Sequence, residues 1–228
     1  MAHSTRVKSN DAVVPEVVVL RLPQYLRVLS QLLHAGAEVV SSQQLGEALQ
    51  MTPAQIRKDL SYFGRFGKQG RGYNTPHLLA ELRQILGLDQ EWPTALVGVG
   101  RLGRAIIEYP GFDPEGFKLV AAFDVNPQMV GQRVGRLIVR GMPEMLQVLQ
   151  EMGIRIGIVA VPGQHAQHVI EQLIAGGVKA ILNYAPVSPQ APADVKVRSV
   201  DPVLALQSMT YHLRSSTSVP LASRTLTR

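Results

Sequence analysis

Apolar positions near the start of the chain recur at helical spacing: Leu22, Tyr25, Leu26, Leu29, Leu32 and Leu33 fall on one stripe. A helix is predicted over residues 15–33, with Pro23 imposing either a kink or a short first turn, and Gly36 ending it. Residues 1–14 are polar and aperiodic until Val13 and read as a flexible arm. Two short helices follow. Ser42 is expected to cap the first, which runs through Leu45 to Leu49. Thr52, Pro53 and Gln55 open the second as N-cap, first helical residue and the residue three beyond the cap. Leu45, Leu49, Ile56 and Leu60 supply a small shared core. Residues 64–73, GRFGKQGRGY, alternate four glycines with basic and aromatic residues, which suits a two-stranded hairpin. Thr75 and Pro76 cap a helix reaching Leu86, and residues 87–93 read as a linker. Helix, two short helices and a glycine-rich hairpin make the order of a winged helix-turn-helix, here 15–86.

After Pro93 the pattern changes. Short apolar strands are predicted over 94–99, 118–123, 154–161, 180–182 and 195–200. Helices are predicted directly after the first strand, over 142–152 and over 164–175. Strands alternating with helices indicate an α/β fold with a parallel, doubly wound sheet of Rossmann type, here 92–200. A last helix lies within 201–214, and the Ser/Thr-rich stretch 215–228 reads as a disordered tail.

Bulk properties narrow the choice of partners. The 228 residues are 46% hydrophobic and 18% charged, enough to build real cores. The formal net charge of +6 is uneven. Residues 1–86 carry ten basic and six acidic side chains, and Arg57, Lys58, Arg65, Lys68 and Arg71 face a single Asp59 within 57–71. That concentration points to a polyanion as partner. The chain has no cysteine, which excludes disulfides, thiolate metal sites and a cysteine nucleophile. With no signal-like opening and no apolar run of membrane-spanning length, a cytoplasmic protein with no membrane partner is expected.

Gly98, Gly100 and Gly103 form a G-x-G-x-x-G, with Arg101 and Leu102 between them, directly after a predicted strand and at the start of a helix. The first glycine permits the turn, the second lets a pyrophosphate approach, and the third lets helix and strand pack closely. Asp124 ends the next strand 21 positions after Gly103, where it can bind adenosine ribose hydroxyls. Its carboxylate favours NAD over NADP, because it would repel a 2′-phosphate. Val161 and Pro162, at the end of the third predicted strand, would flank the same crevice, and an ordinary strand-to-helix turn is the equal alternative on local pattern. The simpler alternative, a glycine turn without a ligand, does not account for the acidic residue at that spacing.

In a helix-turn-helix the second helix presents its N-terminal residues to base edges. Gln55, Arg57, Lys58 and Ser61 are the candidates there, and Asp59 is not expected to face DNA. Arg and Lys suit guanine edges or phosphates, and Gln suits adenine. The wing cations Arg65, Lys68 and Arg71 would reach flanking phosphates or a minor groove. A merely solvated basic face is the bland alternative.

Taken together, the stretches RLPQYLRVL (21–29), SSQQLGEAL (41–49), IRKDLSYFG (56–64), GRGY (70–73), VGVGRLGRA (97–105) and NYAP (183–186) resemble the Rex family of redox-sensing repressors. The resemblance spans residues 15–214. It implies a homodimer that swaps its C-terminal helices (201–214), binds a palindromic operator through its winged helices, and leaves DNA when NADH binds. It also implies that NAD⁺ competes weakly or favours the bound form, and that the repressed genes serve respiration and fermentation. Carried over, Arg57 and Lys58 correspond to DNA contacts and Gly98, Gly100 and Gly103 to the dinucleotide loop. Tyr184, Ala185 and Pro186 fall near the nicotinamide, with Tyr184 where the family often has Phe. Arg27, Tyr109 and Asp201 correspond to a polar switch between the domains.

Two other classes compete. An NAD-dependent dehydrogenase with an accessory helical domain would need an acid/base beside the hydride, and no Y-x-x-x-K pair occurs. His165 and His168 are the only histidines near the crevice, and as an i, i+3 pair they lack a third metal ligand, so neither catalysis nor a metal is expected. A binding module for another nucleotide, such as coenzyme A, is the third reading, and Asp124 counts against it.

Overall fold

The computed structural model describes residues 14–68 and 71–216. The predicted arm and tail lie, but for their inner ends, outside the described residues, and of Lys68 only the backbone is described. The chain divides into an N-terminal unit, residues 1–90, and a C-terminal unit, residues 91–228.

The N-terminal unit opens with α1, Glu16–His34, which is one helix rather than a broken one. Pro23 sits inside it on the exposed side. The bond that Pro23 cannot donate would have gone to Val19, itself exposed, so water can satisfy that carbonyl while Leu22, Tyr25, Leu26 and Leu29 stay buried. Next come β1, Val39–Val40, α2, Ser42–Leu49, and α3, Pro53–Ser61. Ser41, not Ser42, caps α2: its hydroxyl accepts from the Gln44 N–H at 3.1 Å while the Gln44 side chain accepts from the Ser41 N–H at 2.8 Å. Thr52 caps α3 as expected, accepting from Gln55 N–H at 3.2 Å. The wing consists of β2, Gly67–Lys68, and β3, Gly72–Asn74, paired antiparallel. It is not a free hairpin, because β1 adds to β3 and completes a three-stranded sheet. A two-residue strand carries too little alternation to be read from sequence, yet Val40 is fully buried with Leu45, Ile56 and Leu60. Gly72 holds a positive φ of +72°, and a Cβ there would press on the Val40 carbonyl. Asn74 rather than Thr75 caps α4, Thr75–Ile85, through its side-chain oxygen.

The C-terminal unit begins with β4, Trp92–Val97, inside the expected linker. It continues with α5, Arg101–Glu108, β5, Phe117–Asp124, β6, Arg133–Val134, and β7, Leu137–Gly141. The β6–β7 hairpin was not anticipated; β7 alternates buried and exposed residues over only five positions. A 3-10 turn at Met142–Glu144 replaces the start of the predicted helix, which is α6, Met145–Glu151. Then follow β8, Ile156–Val159, α7, Gly163–Ala175, β9, Ala180–Asn183, β10, Lys196–Ser199, and α8, Pro202–Ser216. The sheet runs β10-β9-β8-β4-β5-β7-β6, parallel except for the antiparallel edge strand β6.

The direction of winding reverses between β4 and β8, and such a reversal opens a crevice at the carboxyl ends of the two strands. On one sheet face α6 and α7 bury Leu149, Ala166, Ile170 and Leu173 against Ala95, Val97, Phe123 and Val159. On the other face Ile106 of α5 packs with Leu96, Ala122, Val139 and Ile158. Central strands buried on both faces explain why TALVGV and GIVAV read as unbroken apolar runs.

Candidate functional site

The glycine loop sits at that reversal. Gly98 follows β4 with φ +95°, and a Cβ on it would lie 2.5 Å from the Ala160 carbonyl oxygen at the end of β8. A Cβ on Gly103 would collide with the carbonyl oxygen of Gly98. Gly100 differs: nothing lies within 4 Å of where its Cβ would be, and as N-cap of α5 it offers no side chain to the helix amides. Packing demands the outer two glycines, while the middle one leaves open space over uncapped N–H groups. That cradle fits the pyrophosphate of a dinucleotide.

Asp124, at the end of β5, lies against the same loop. Its Oδ2 accepts from the Val99 N–H at 2.6 Å and its Oδ1 from the Asn126 N–H at 2.8 Å. Each oxygen keeps a further lone pair for a ribose hydroxyl. Gly98, Gly100 and Asp124 line a cavity of about 370 Å³. Val161 and Pro162 line it too, as the sequence suggested, with Val125, Met142 and Val169 making most of the wall apolar. His165 and His168 of α7 also face it, as their place near the crevice suggested, and so does Gln172, one turn further along the same helix, which the sequence reading did not assign to the site. No group of acidic or histidine side chains among the described residues is arranged to hold a metal ion.

Other expected residues do not line this cavity. Arg101 and Leu102 are exposed on the first turn of α5, and neither lines the cavity. Tyr184 is half-buried with Leu182 and Ala160, Ala185 is buried with Val195, and Pro186 is exposed. This turn is fixed by Asn183, which is fully buried. Its Nδ2 donates to the Ala185 carbonyl at 3.0 Å, and its Oδ1 accepts from the Ala185 N–H at 3.0 Å. Tyr109 ends α5 with its ring edge-on to Phe112, centroids 5.2 Å apart. Asp201 accepts from the Val203 N–H at 2.9 Å at the start of α8. Arg27 is exposed on α1.

In the N-terminal unit, Arg57, Lys58 and Ser61 are exposed on α3, and Arg65 and Arg71 are exposed on the segments flanking the wing strands. Arg57 donates through Nη1 to the Ser42 hydroxyl at 3.0 Å, which steadies its guanidinium beside the start of α2. Gln55 is half-buried. Asp59 is 0% exposed, on the face of α3 that also buries Ile56 and Leu60. Both its oxygens are taken by Arg21, Nε to Oδ2 and Nη2 to Oδ1, each at 2.7 Å. Tyr25 donates its hydroxyl to Oδ2 at 2.6 Å, and Gln55 donates Nε2 to Oδ1 at 2.6 Å. Burial, and then the bond to Asp59, push the Tyr25 phenol well above the ordinary tyrosine value. This buried cluster clamps α1 to α3. Its signal in the sequence was an acid at a core position of α3 and Arg21 one turn before Tyr25 on the apolar side of α1.

The fold and the two sites define a two-domain protein, a winged helix-turn-helix DNA-binding domain followed by a Rossmann domain with a dinucleotide-type loop. Residues 13–61 match the family model described as "Putative DNA-binding protein N-terminus". Residues 89–187 match the model described as "CoA binding domain". The redox-sensing transcriptional repressor Rex of Chloroflexus aggregans is 53% identical over 199 residues, 87% of this chain and 94% of that protein. Rex of Streptomyces coelicolor is 39% identical over 211 residues, 92% of this chain and 81% of that protein. Among solved structures, RSP in complex with β-NAD⁺ and operator DNA is 37% identical, with a TM-score of 0.85 over 90% of this chain and 94% of that one. RSP in complex with β-NADH is 35% identical, with a TM-score of 0.81 over 90% and 96%. The chain belongs to the Rex family of redox-sensing transcriptional repressors.

Proposed function

We propose that this protein is a transcriptional repressor that binds a palindromic operator as a homodimer and is released when NADH enters the crevice beside Gly98, Gly100 and Asp124. The observation that carries this reading is the pairing, in one chain, of an exposed basic helix and wing with a glycine cradle that has an acidic residue at its rim. RSP, whose structures hold β-NAD⁺ with operator DNA and, separately, β-NADH, has the same architecture.

In this reading Gln55, Arg57, Lys58 and Ser61 meet the major groove, and Arg65, Lys68 and Arg71 meet flanking phosphate or minor groove. Gly98, Gly100, Arg101, Leu102 and Gly103 hold the pyrophosphate, Asp124 the adenosine ribose, Val161 and Pro162 the crevice wall, and Tyr184, Ala185 and Pro186 the nicotinamide side. Arg27, Tyr109 and Asp201 are assigned to the polar switch that couples NADH binding to DNA release.

Support for the dimer comes from α8, whose Val203, Leu204, Leu206, Met209, Tyr211 and Leu213 are 56–72% exposed. A helix with that much exposed apolar surface is a docking element. We assign residues 201–214 to exchange between the two copies. An operator-binding protein works where the chromosome is, hence in the bacterial cytoplasm, and no described helix is long and apolar enough to cross a membrane.

The switch requires NADH to prefer the released arrangement. Reversing a 99:1 population takes roughly 10⁴-fold differential affinity, about 5.5 kcal/mol. A neutral reduced nicotinamide enters an apolar interface at lower desolvation cost than the cationic NAD⁺ ring. Fluorescence anisotropy of a labelled palindromic duplex, titrated with NADH and separately with NAD⁺, tests the reading. Release by NADH at concentrations where NAD⁺ does little is the expected result, and equal action of the two would overturn the sensor. The family-model description keeps coenzyme A as a second ligand to titrate in the same assay.

A further inference from the structure

The amide of Gln55 is fixed from beneath by a buried charge. Gln55 stands in the first turn of α3, four residues before Asp59, and its Nε2 donates to Asp59 Oδ1 at 2.6 Å. Asp59 also accepts from Arg21 Nε and Nη2 and from the Tyr25 hydroxyl, and a carboxylate paired with a guanidinium can only accept. Turning the Gln55 amide over would bring its carbonyl oxygen against a carboxylate oxygen, two acceptors with no proton between them. The nitrogen is therefore held on Asp59 by one of its two protons, and Oε1 is the acceptor left to face outward.

The rest of α3 makes that oxygen distinctive. Arg57 and Lys58 are exposed donors, the Ser61 hydroxyl donates to the Lys58 carbonyl at 2.7 Å, and the helix's only acid is the buried Asp59. The Ser61 oxygen, its proton spent, can also accept, but it lies in the last turn, so Gln55 is the acceptor-bearing side chain of the first turn, the part of a recognition helix that meets base edges.

We propose that Gln55 reads DNA through Oε1, selecting adenine or cytosine at one position of each half-site. Those two bases carry an exocyclic amino group on the major-groove edge, whereas guanine and thymine show acceptors there. Asp59 is the positioning residue, held in turn by Arg21 and Tyr25 of α1. The proposal rests on the repressor reading and adds to it a base preference and its structural cause.

The full-length protein is used to select duplexes from a random pool. All four bases are then placed at each half-site position and measured by anisotropy at fixed salt. At one position, guanine and thymine should weaken binding roughly tenfold or more relative to adenine or cytosine. Gln55→Met should flatten that position to within about threefold, leaving the other positions and NADH affinity as in the wild type. Asp59→Asn, whose amide can also donate, should let Gln55 turn and raise tolerance of guanine at the same position. A Gln55→Met profile identical to that of a sequence-specific wild type overturns the proposal alone, as does a Gln55-dependent preference for guanine or thymine. A wild type that binds every duplex alike overturns the repressor reading, and this proposal with it.

Discussion

The two units meet their ligands with different parts of the chain. The N-terminal unit offers side chains, Arg57, Lys58 and Gln55 on a helix whose underside is clamped by a buried Arg21–Asp59 pair. The C-terminal unit offers backbone, a turn whose shape depends on the missing Cβ atoms of Gly98 and Gly103 and on the open space over Gly100. A side-chain site is tuned by residues packed behind it, whereas a backbone site tolerates few substitutions at the turn itself.

The sharpest way to break this contrast is to remove the clamp. Asp59→Ala leaves Arg21 facing a buried void, and breaking a buried pair costs about 3–5 kcal/mol. The loss should fall on the N-terminal unit. Trp92, the chain's one tryptophan, opens β4 in the other unit, so its fluorescence reports that unit separately. In denaturant, far-UV circular dichroism should show an early helical transition before the Trp92 signal moves. A single coincident transition at lower denaturant would show that the units do not unfold independently.

The backbone site gives the second largest effect. Gly103→Ala places a Cβ on the Gly98 carbonyl oxygen, so the turn must open. NADH affinity measured by calorimetry should fall about 100-fold, equivalent to about 2.7 kcal/mol. Gly100→Ala is the sharper companion: its Cβ meets nothing, so the melting temperature should hold while NADH binding weakens about tenfold. Equal NADH affinity in Gly100→Ala and wild type would remove the pyrophosphate from this cradle.

The same contrast explains what could be read beforehand. The glycine loop, its strand and Asp124 were legible because backbone geometry there permits only certain residues at certain spacings. The helix-turn-helix was legible through its caps, although Ser41 and Asn74 each took the role expected one residue later, at Ser42 and Thr75. In both cases two adjacent polar residues can cap, and packing chooses the register. Short strands stayed hidden: β1 has two residues and β7 five, and tertiary pairing, not local pattern, defines them. The Arg21–Asp59 clamp was hidden for a different reason. A charge pair 38 residues apart leaves no periodic trace: Asp59 could be set off the DNA-facing side of α3, but the pattern does not pair it with Arg21.

A smaller effect separates readers from steering charges. Lys58→Ala, which removes an exposed cation from α3 of each protomer, should lower the slope of log affinity against log salt by about 2 per bound dimer, about 1 per half-site, across all duplexes. Anisotropy at several salt concentrations measures it. A loss confined to one base pair would instead make Lys58 a base reader. Gln55, being uncharged, should leave that slope untouched.

The smallest effect concerns pH, and it should divide the units in opposite directions. Burial raises the Tyr25 and Tyr73 phenols above the ordinary value of about 10. A raised pKa means that folding favours the protonated phenol. The N-terminal unit therefore holds this stability in full below about pH 10 and loses it as pH rises through the folded values. In the C-terminal unit, the hydrogen bond from Arg136 lowers the Asp113 carboxyl and the one from Lys179 lowers Asp194. That stability is present above about pH 3.9 and is lost as pH falls through the lowered values. Both pairs are solvent-exposed and screened, so their acid arm should be shallow, while the buried phenols should give the steeper alkaline one. Thermal melts followed by Trp92 fluorescence and by circular dichroism across both ranges measure the two arms. Tyr25→Phe should blunt the alkaline arm, because no phenol remains to ionise beside Asp59. An alkaline melt in which Trp92 moves first would place the titrating strain in the wrong unit.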